Sequence, residues 1–265
     1  MSTKFWTDFW SPIPGCSPCS PGCDRCWALT MVTRMCGAGV FTWDQAVTLL
    51  DHGRWTGKHV LIERWLDKPM HWRKPRVVAA GWLGDMWLAD NALLDRMMPI
   101  ATRPECGKHQ FLVLTKRAEM MEAKARRGYS IPYSNHWFGA TVCNQAEADK
   151  QIPHLLRIPG KRWLCIEPLL ESVDLSAFLG GPYMSISGPV PEGYNAGISW
   201  VVVGQETGPG ARPAKPEWIQ SVIDQCHAAG VPCWTKALPL GVEPVREAPE
   251  PIAAILRREG MMEGT

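Results

Sequence analysis

Six short apolar runs, each followed by polar residues, glycine or proline, recur along this chain of 265 residues. Runs that are apolar at nearly every position are typical of strands buried on both faces of a parallel sheet. The runs cover residues 76–81 (RVVAAG), 110–115 (QFLVLT), 137–142 (WFGATV), 162–166 (RWLCI), 200–204 (WVVVG) and 232–235 (PCWT). Because such strands need helices to cover them, this recurrence constrains the fold more than any other feature.

Helical stretches fill most of the intervals between these runs. Apolar residues recur there at helical spacing, and Gly230 provides a C-terminal stop for the last stretch. The stretches are residues 91–103, 118–127, 145–157 and 217–229. With one more short strand before Cys16, the alternation predicts an α/β fold, a partial (β/α)6-type TIM-like barrel. We expect the barrel domain over residues 1–240 and a C-terminal extension with one short helix over 241–265.

One long interval differs from the others in composition. Residues 180–197 (GGPYMSISGPVPEGYNAG) are rich in glycine, proline and serine and separate two predicted strands. This composition predicts a long loop at one rim of the barrel, and loops of this length often act as lids or binding elements.

Charge and composition limit the partners and the cellular location that we expect for the protein. Lys and Arg number 28 against 26 Asp and Glu, so the net charge of +2 lacks the basic excess of nucleic-acid packaging proteins. The N-terminus has no signal-peptide pattern, and no apolar stretch reaches the roughly 18 residues of a membrane span. We therefore expect a cytoplasmic protein without a membrane partner, whose ten cysteines stay reduced.

Four of the cysteines crowd into one loop, GCSPCSPGCDRCW, as Cys16, Cys19, Cys23 and Cys26. Structural zinc sites usually draw two cysteine pairs from segments roughly 12–20 residues apart, because one tight loop hardly wraps four thiolates around one ion. A cubane presents several irons to the same loop and accepts closely spaced thiolates readily. The spacing therefore favours an iron–sulfur cluster. A helix is predicted behind the loop from residue 25 to residue 35, with its end near Gly37.

The loop resembles two cysteine patterns of radical S-adenosylmethionine enzymes. Cys19, Cys23 and Cys26 match the C-x3-C-x2-C motif of most such enzymes. Cys16, Cys23 and Cys26, followed by Trp and Ala, match the C-x6-C-x2-C motif of a phage-associated, radical S-adenosylmethionine-like family that is linked to thymine hypermodification of phage DNA. The two patterns share Cys23 and Cys26 but differ in the third ligand, which is Cys19 in the first pattern and Cys16 in the second.

The resemblance to the phage-associated family extends over roughly residues 6–240. Its further segments are 72–76 (WRKPR), Asp85, 114–117 (LTKR), 167–170 (EPLL), 204–208 (GQETG) and 212–213 (RP). Because this likeness is the longer one, we expect Cys16 rather than Cys19 to join Cys23 and Cys26 as a metal ligand. The resemblance implies a [4Fe-4S] cluster with one open iron, S-adenosyl-L-methionine bound to that iron, and an electron-donating reductase as partner.

The candidate site residues follow the apolar runs, because the carboxyl ends of barrel strands converge on one mouth. At this mouth Asp85 is suited to the amino group of S-adenosylmethionine, and Lys116 and Arg117 to its carboxylate or to a substrate phosphate. We assign Lys116, Glu167 and Glu206 as catalytic candidates. The full set expected to bind the cofactor is Trp27, Gly81, Asp85, Thr115, Lys116, Arg117, Glu167, Gly204, Glu206, Arg212 and Lys236.

The resemblance also suggests a substrate, DNA that contains a modified thymidine. The sharpest version is a radical isomerisation of a glycine-bearing thymidine, whose α-hydrogen gives a stabilised radical. Position 143 departs from the family pattern, since Cys143 stands where a glutamate is more frequent, and this signals a different substrate. Two alternatives stay open: a lyase that repairs DNA photoproducts, and a zinc-stabilised module without enzymatic activity that binds nucleic acid or a partner protein.

Overall fold

A computed structural model describes residues 3–129, 135–180 and 197–263 of the chain. Nearly all of the loop predicted at 180–197 therefore lies outside the described residues. The strands, numbered along the chain, are β1 Asp8–Trp10, β2 Leu50–Asp51, β3 Arg54–Trp55, β4 Val77–Ala80, β5 Gln110–Thr115, β6 His136–Thr141, β7 Lys161–Ile166, β8 Trp200–Val203 and β9 Cys233–Thr235.

Seven of these strands form one parallel sheet, in the order β1-β4-β5-β6-β7-β8-β9. Apart from the separate β2–β3 hairpin, strands that are consecutive along the chain are neighbours in the sheet. The sheet curls into a half-barrel. The predicted α/β class is confirmed, and the half-barrel is compatible with the predicted partial TIM-like barrel. All six predicted strands are present, with ends that differ from the expected ones by at most one residue, and β1 is the short strand expected before the cysteine loop.

The helices are α1 Trp27–Gly37, α2 Trp43–Leu49, α3 Asn91–Ala101, α4 Ala118–Lys124, α5 Gln145–Leu156, α6 Pro216–Ala228 and α7 Ile252–Arg258. The four stretches predicted as helices are confirmed as α3 to α6. The helix expected behind the cysteine loop is α1, which begins two residues later than predicted, and α7 is the short helix expected near the C-terminus.

The two faces of the sheet have different cores because successive strand residues point to opposite sides. On β7, Leu164 and Ile166 face the helices, whereas Trp163 and Cys165 face the concave side. Buried tryptophans fill that concave side from four adjacent strands: Trp137, Trp163, Trp200 and Trp234. Each is at most 2% exposed. The interior of the half-barrel is therefore packed with side chains.

A small accessory unit precedes β4 and was not predicted. The antiparallel hairpin of β2 and β3 packs with α1 and α2 around Val32, Phe41 and Leu49. Beyond the hairpin, Val60 N donates to Pro14 O at 3.2 Å. The unit thereby supports the segment that leads into the cysteine loop.

The C-terminal extension packs onto the half-barrel. Glu247 N donates to Cys233 O at 2.9 Å, so residues next to Glu247 cover the outer edge of β9. Ile252, Ile255 and Leu256 of α7 join the tryptophan cluster of the concave side. The boundary at residue 240 stays a prediction. Within the described ranges, no helix combines the length and the apolar character needed to cross a membrane.

Candidate functional site

The cysteine loop starts where two glycines meet beyond the carboxyl end of β4. Gly15 and Gly84 form an isolated parallel bridge, in which Asp85 N donates to Gly15 O at 2.9 Å and Gly15 N donates to Leu83 O at 3.2 Å. The bridge lies beyond the last pair of the β1–β4 ladder, which is Trp10 with Ala80. The loop therefore emerges at the carboxyl ends of the strands, as the sequence predicted.

From there the loop crosses the mouth of the half-barrel. Arg117, which follows β5, donates from Nη2 to the Ser17 carbonyl at 2.7 Å and to its hydroxyl at 3.1 Å. Gly22 lies against the residues that follow β6 and β7, since a Cβ built on it would lie 3.6 Å from Cys143 Cβ and 3.5 Å from Pro168 Cδ. The loop thus contacts the ends of successive strands.

The Cys16 thiol lies within electrostatic reach of two other thiols of the loop, those of Cys23 and Cys26. Burial, helped by the Asp85 carboxylate and the Cys26 and Cys23 thiols, raises the pKa of Cys16 to about 12. Cys26 is the N-cap of α1, where its sulfur accepts from Leu29 N at 3.5 Å. In the part of the chain that the structure describes, no three His, Cys, Asp or Glu side chains form a site for a single metal ion.

Cys19, the fourth cysteine of the loop, is exposed. Its thiol points back toward the strand ends and lies 3.9 Å from Lys116 O. A hydrogen bond from Cys19 lowers the pKa of Cys23, while that bond and burial raise the pKa of Cys19 itself. Cys19 therefore neighbours Cys23 and lies beside the end of β5, although the residue is exposed.

Asp85 is buried at the mouth of the half-barrel, where it is 3% exposed and accepts hydrogen bonds from several residues. Its Oδ2 accepts from Thr115 Oγ1 at 2.7 Å and from Lys116 N at 3.4 Å, and its Oδ1 accepts from Trp87 N at 3.2 Å. Arg117 Nη1 lies 3.7 Å from the same carboxylate. Burial raises the pKa of Asp85, although these donors oppose the shift. The structure gives Asp85, Thr115 and Arg117 partners within the chain, and their contact with a cofactor stays a prediction.

Lys116 differs from the other cations at the mouth. Its ammonium group has no hydrogen bond and no ion pair with any residue that the structure describes. Burial raises the pKa of both Cys143 and Cys165 to about 12, and the charge of Lys116 opposes that shift. The Lys116 charge also acts on Cys23. Lys116 is thus a cation among thiols that is available to an anionic ligand.

Glu206 and Arg212, beyond β8, form an ion-pair network with the cysteine loop. Arg212 donates to Glu206 through Nε at 2.9 Å and through Nη2 at 2.5 Å, and this bonding lowers the pKa of Glu206. Arg212 Nη1 also donates to Asp24 Oδ2 at 3.1 Å, and Arg25 Nε lies 3.4 Å from Glu206. Two predicted site residues therefore hold the end of the loop to the barrel.

Glu167 and Lys236 form a second ion pair, between the ends of β7 and β9. The Lys236 ammonium lies 2.5 Å from Glu167 Oε2, and both side chains are 19% exposed. The same ammonium lies 5.4 Å from the centroid of the Trp6 ring, which is a cation–π contact. The Trp6 and Trp82 rings lie 5.1 Å apart beside it. A charged pair and an aromatic wall therefore share one side of the mouth.

The remaining predicted residues have the following places. Trp27 is 50% exposed at the start of α1. Gly81 has a φ of +78°, and a Cβ there would lie 2.5 Å from Met86 Sδ. A Cβ on Gly204 would lie 3.1 Å from Lys236 Cβ. Both glycines thus leave room for neighbouring side chains. Contact of Trp27, Gly81 or Gly204 with a cofactor stays a prediction.

A carboxylate that sequence reasoning missed lies beside Cys143. Glu147 Oε2 accepts from Cys143 N at 2.9 Å, and burial together with the bond to Glu147 raises the pKa of the Cys143 thiol. Asn144 caps α5, because its Oδ1 accepts from Glu147 N at 2.9 Å. The pattern of Asn followed three residues later by Glu was a visible capping signal. The first turn of α5 therefore places a carboxylate beside Cys143.

The thiols of the loop fit an iron–sulfur cluster by their chemistry. A cubane takes each thiolate on a different iron, so its ligands stand farther apart than the ligands of one zinc ion. The Cys16 thiol lies within electrostatic reach of both the Cys23 and the Cys26 thiol. Cys16, Cys23 and Cys26 would be the residues that hold such a cluster, and Lys116 would be a cation near its ligands.

Comparison with known proteins places the chain in a family by sequence. A family model described as protein of unknown function (DUF5131) matches residues 2–241. No curated protein matches the chain. No solved structure matches it either. Because the family model covers all but the C-terminal extension, the chain belongs to the DUF5131 family of proteins of unknown function.

Proposed function

We propose that this protein is a radical S-adenosylmethionine enzyme of the phage-associated three-cysteine type. The observation that supports it most is the course of the cysteine loop, which crosses the mouth of a half-barrel and is held there by Arg117 and Arg212. Active sites of (β/α) barrels lie at this end of the strands. The loop therefore brings its thiols to the place where barrel enzymes perform their chemistry.

The proposed ligands of the [4Fe-4S] cluster are Cys16, Cys23 and Cys26. Cys16 is partly buried, as Cys23 and Cys26 are, which supports it as the third ligand. Cys19 is exposed, and its thiol lies near the Lys116 carbonyl. When bound, the cluster supplies an electron for the reductive cleavage of S-adenosylmethionine, whose 5′-deoxyadenosyl radical abstracts hydrogen from substrate.

Residues of the chain would orient the cofactor. Lys116 has no partner among the described residues, so it is suited to bind the methionyl carboxylate. Asp85 and Thr115 would act mainly by fixing the backbone of Lys116, since Asp85 accepts from Lys116 N. Glu206 would act by keeping Arg212 on the loop. These assignments make Lys116 the residue that touches the cofactor most directly.

For the substrate we propose a modified thymidine in DNA, which the protein would convert by a radical isomerisation. The glycine α-carbon would give one hydrogen atom to the 5′-deoxyadenosyl radical, and the thymine methylene would then migrate from nitrogen to that carbon. One electron from the reductant and one proton would quench the resulting nitrogen radical, so that 5′-deoxyadenosine is released and the product keeps the mass of the substrate.

The aromatic wall of Trp6 and Trp82 supports a flat ring as ligand, because planar rings stack on indoles. The adjacent pair of Glu167 and Lys236 is complementary to the amino and carboxylate groups of a glycine substituent. Glu167 and Lys236 would thereby hold the carbon that loses hydrogen close to the cluster loop.

The test is anaerobic incubation of reconstituted protein with dithionite, S-adenosylmethionine and DNA that carries the glycine-bearing thymidine. We expect 5′-deoxyadenosine, with no product from a Cys26→Ala control, and nucleoside mass spectrometry should find an isomer of unchanged mass. Product from irradiated DNA alone would show that the protein is a photoproduct lyase and not an isomerase. No 5′-deoxyadenosine above the Cys26→Ala control refutes the radical enzyme.

A further inference from the structure

A short turn after β9 carries a leucine that is almost fully exposed. Residues 237–241 (ALPLG), called the rim turn below, follow Lys236 directly. Gln205 N donates to Ala237 O at 2.9 Å, and Lys236 N donates to Val203 O at 2.8 Å. The rim turn therefore begins at the carboxyl ends of β8 and β9, on the edge of the mouth. Leu240 is 97% exposed there.

Both flanks of the rim turn are fixed to the barrel. Leu238 packs against the core on the helix side of the sheet, and its carbonyl accepts from Gln205 Nε2 at 3.2 Å. Val242, on the other flank, is buried in the same core. Gly241 has a φ of +87°, which lets the chain reverse between these two residues. Leu240 is thus held away from the core by anchored neighbours, and its side chain has no packing role in the fold.

The groups suited to hold the substrate ring lie below this rim. Glu167 and Lys236 are each 19% exposed, and Trp6 and Trp82 are half-buried. A thymine that is stacked in a duplex cannot reach groups recessed in this way, so it must turn out of the stack. Turning out leaves a gap between the neighbouring bases, and proteins fill such gaps with apolar side chains such as Leu, Ile, Met or Phe.

We propose that the rim turn binds duplex DNA and that Leu240 enters the base stack as an apolar wedge, in the place of the modified thymidine. This inference rests on the proposed function and specifies its substrate as a duplex from which one base is turned out. Because four residues of chain separate Leu240 from Lys236, their Cα atoms lie at most about 14 Å apart. The wedge and the Glu167–Lys236 pair therefore share one short stretch of the rim.

The composition of the rim turn favours a duplex over a protein partner. The turn has neither an aromatic residue nor an arginine, the residue types that dominate the energy of protein contacts. A wedge needs only one apolar side chain on a fixed support. Lys215 is exposed at the start of α6, on the neighbouring connection, and is suited to a phosphate. Glu243, exposed just beyond the turn, repels phosphates, so we expect the DNA backbone on the Lys215 side.

The test uses a duplex that carries the glycine-bearing thymidine next to 2-aminopurine, a base whose fluorescence rises when it loses a stacking neighbour. Without dithionite, the reconstituted wild type should raise the fluorescence, Leu240→Ala should lose most of the rise, and Leu240→Phe should restore it. Val47→Ala is the matched control, because Val47 is also an exposed apolar residue but belongs to the accessory unit. It should behave like the wild type, and equal melting temperatures would show that all variants are folded.

Turnover with dithionite gives a second readout. We expect Leu240→Ala to slow product formation on the duplex about tenfold more than on the same modified strand alone, because a single strand needs less unstacking. A change that merely disturbed the barrel would slow both forms of DNA equally.

Two results overturn the wedge. One is a fluorescence rise in Leu240→Ala that equals the rise in the wild type. The other is a wild type that converts the single strand but not the duplex. Failure of the wild type to form 5′-deoxyadenosine, with a fluorescence rise that still depends on Leu240, would refute the radical function and leave the duplex contact in place. The two failures are therefore distinguishable.

Discussion

Gly15 and Gly84 touch backbone to backbone at the start of the cysteine loop. A Cβ built on Gly84 would lie 2.0 Å from Gly15 O, and Gly84 has a φ of +137°, in a region that residues with a side chain rarely adopt. A Cβ on Gly15 would in turn lie 2.4 Å from Lys58 O. The position of the loop at the mouth therefore depends on the absence of side chains at both glycines.

We predict that Gly84→Ala displaces the loop and lowers the free energy of unfolding by about 2–5 kcal/mol, since it combines backbone strain with overpacking. Iron retained after reconstitution should fall with it. Gly39→Ala is the matched control, because Gly39 also has a positive φ, +67°, but a Cβ built on it would meet no atom within 4 Å. It should cost about 1–2 kcal/mol and leave iron binding intact. Equal iron in the two variants would refute the role of the glycine contact.

We predict that Arg212→Ala lowers stability at neutral pH by about 2 kcal/mol, because the buried Glu206 loses charged hydrogen bonds. Arg96→Ala removes a comparable but exposed pair with Glu63 and should cost less than about 0.5 kcal/mol. Urea unfolding measures both. An Arg212→Ala variant no less stable than Arg96→Ala would show that the Glu206 network does not hold the loop.

The Arg212 effect should depend on pH. The bond to Arg212 lowers the pKa of Glu206 below its ordinary value of 4.5. A lowered pKa in the folded state adds stability that is present above the unfolded pKa and disappears as pH falls through the folded one. The difference between wild type and Arg212→Ala should therefore be full at pH 7 and shrink below about pH 4. A difference that is constant from pH 7 to pH 3 contradicts this assignment.

We predict that Thr115→Val destabilises the protein by about 2–3 kcal/mol, because Thr115 Oγ1 donates to Asp85 at 2.7 Å and accepts from Arg117 N at 2.9 Å. Thr33→Val removes a hydroxyl that bonds only within the exposed face of α1 and should be nearly neutral. Thermal unfolding of the pair at pH 7 measures the contrast. Equal melting temperatures of the two variants would show that the hydrogen bond between Thr115 and Asp85 does not stabilise the fold.

The sequence predicted the strands and the long helices well because their patterns are local. The runs around Val113 and Val202 are apolar at nearly every position, and α5 repeats its apolar residues at helical spacing. The accessory unit was missed because α2 has only seven residues and β2 and β3 have two each, which is too short for periodicity. Its one local signal was the capping box of Thr42 and Gln45.

The site was predictable in its location but not in its internal pairing. That Lys116 and Glu167 end strands at one mouth follows from the topology of parallel strands. The partner of Arg117 is Ser17, one hundred residues away in sequence, and nothing local indicates that contact. Arg25 was missed for the same reason, since its partners follow β8. The sequence alone does not show whether an arginine binds a ligand or pairs with a distant residue of the chain, because that depends on three-dimensional contacts.

We predict that Cys16→Ala, like Cys23→Ala and Cys26→Ala, loses nearly all cluster iron after anaerobic reconstitution, because each removes one of three ligands. Cys19→Ala is the matched variant in the same loop and should keep wild-type iron. Iron and sulfide counts on the four proteins decide the choice of ligand. Full iron in Cys16→Ala together with loss in Cys19→Ala would assign Cys19 as the third ligand.

The central claim, that the cysteine loop holds an iron–sulfur cluster, is tested most directly by counting metal in the wild-type protein purified without oxygen. We predict about four irons and four sulfides per chain, with a broad brown visible absorption that bleaches on reduction by dithionite. A colourless protein with one zinc per chain and neither iron nor sulfide would contradict the claim.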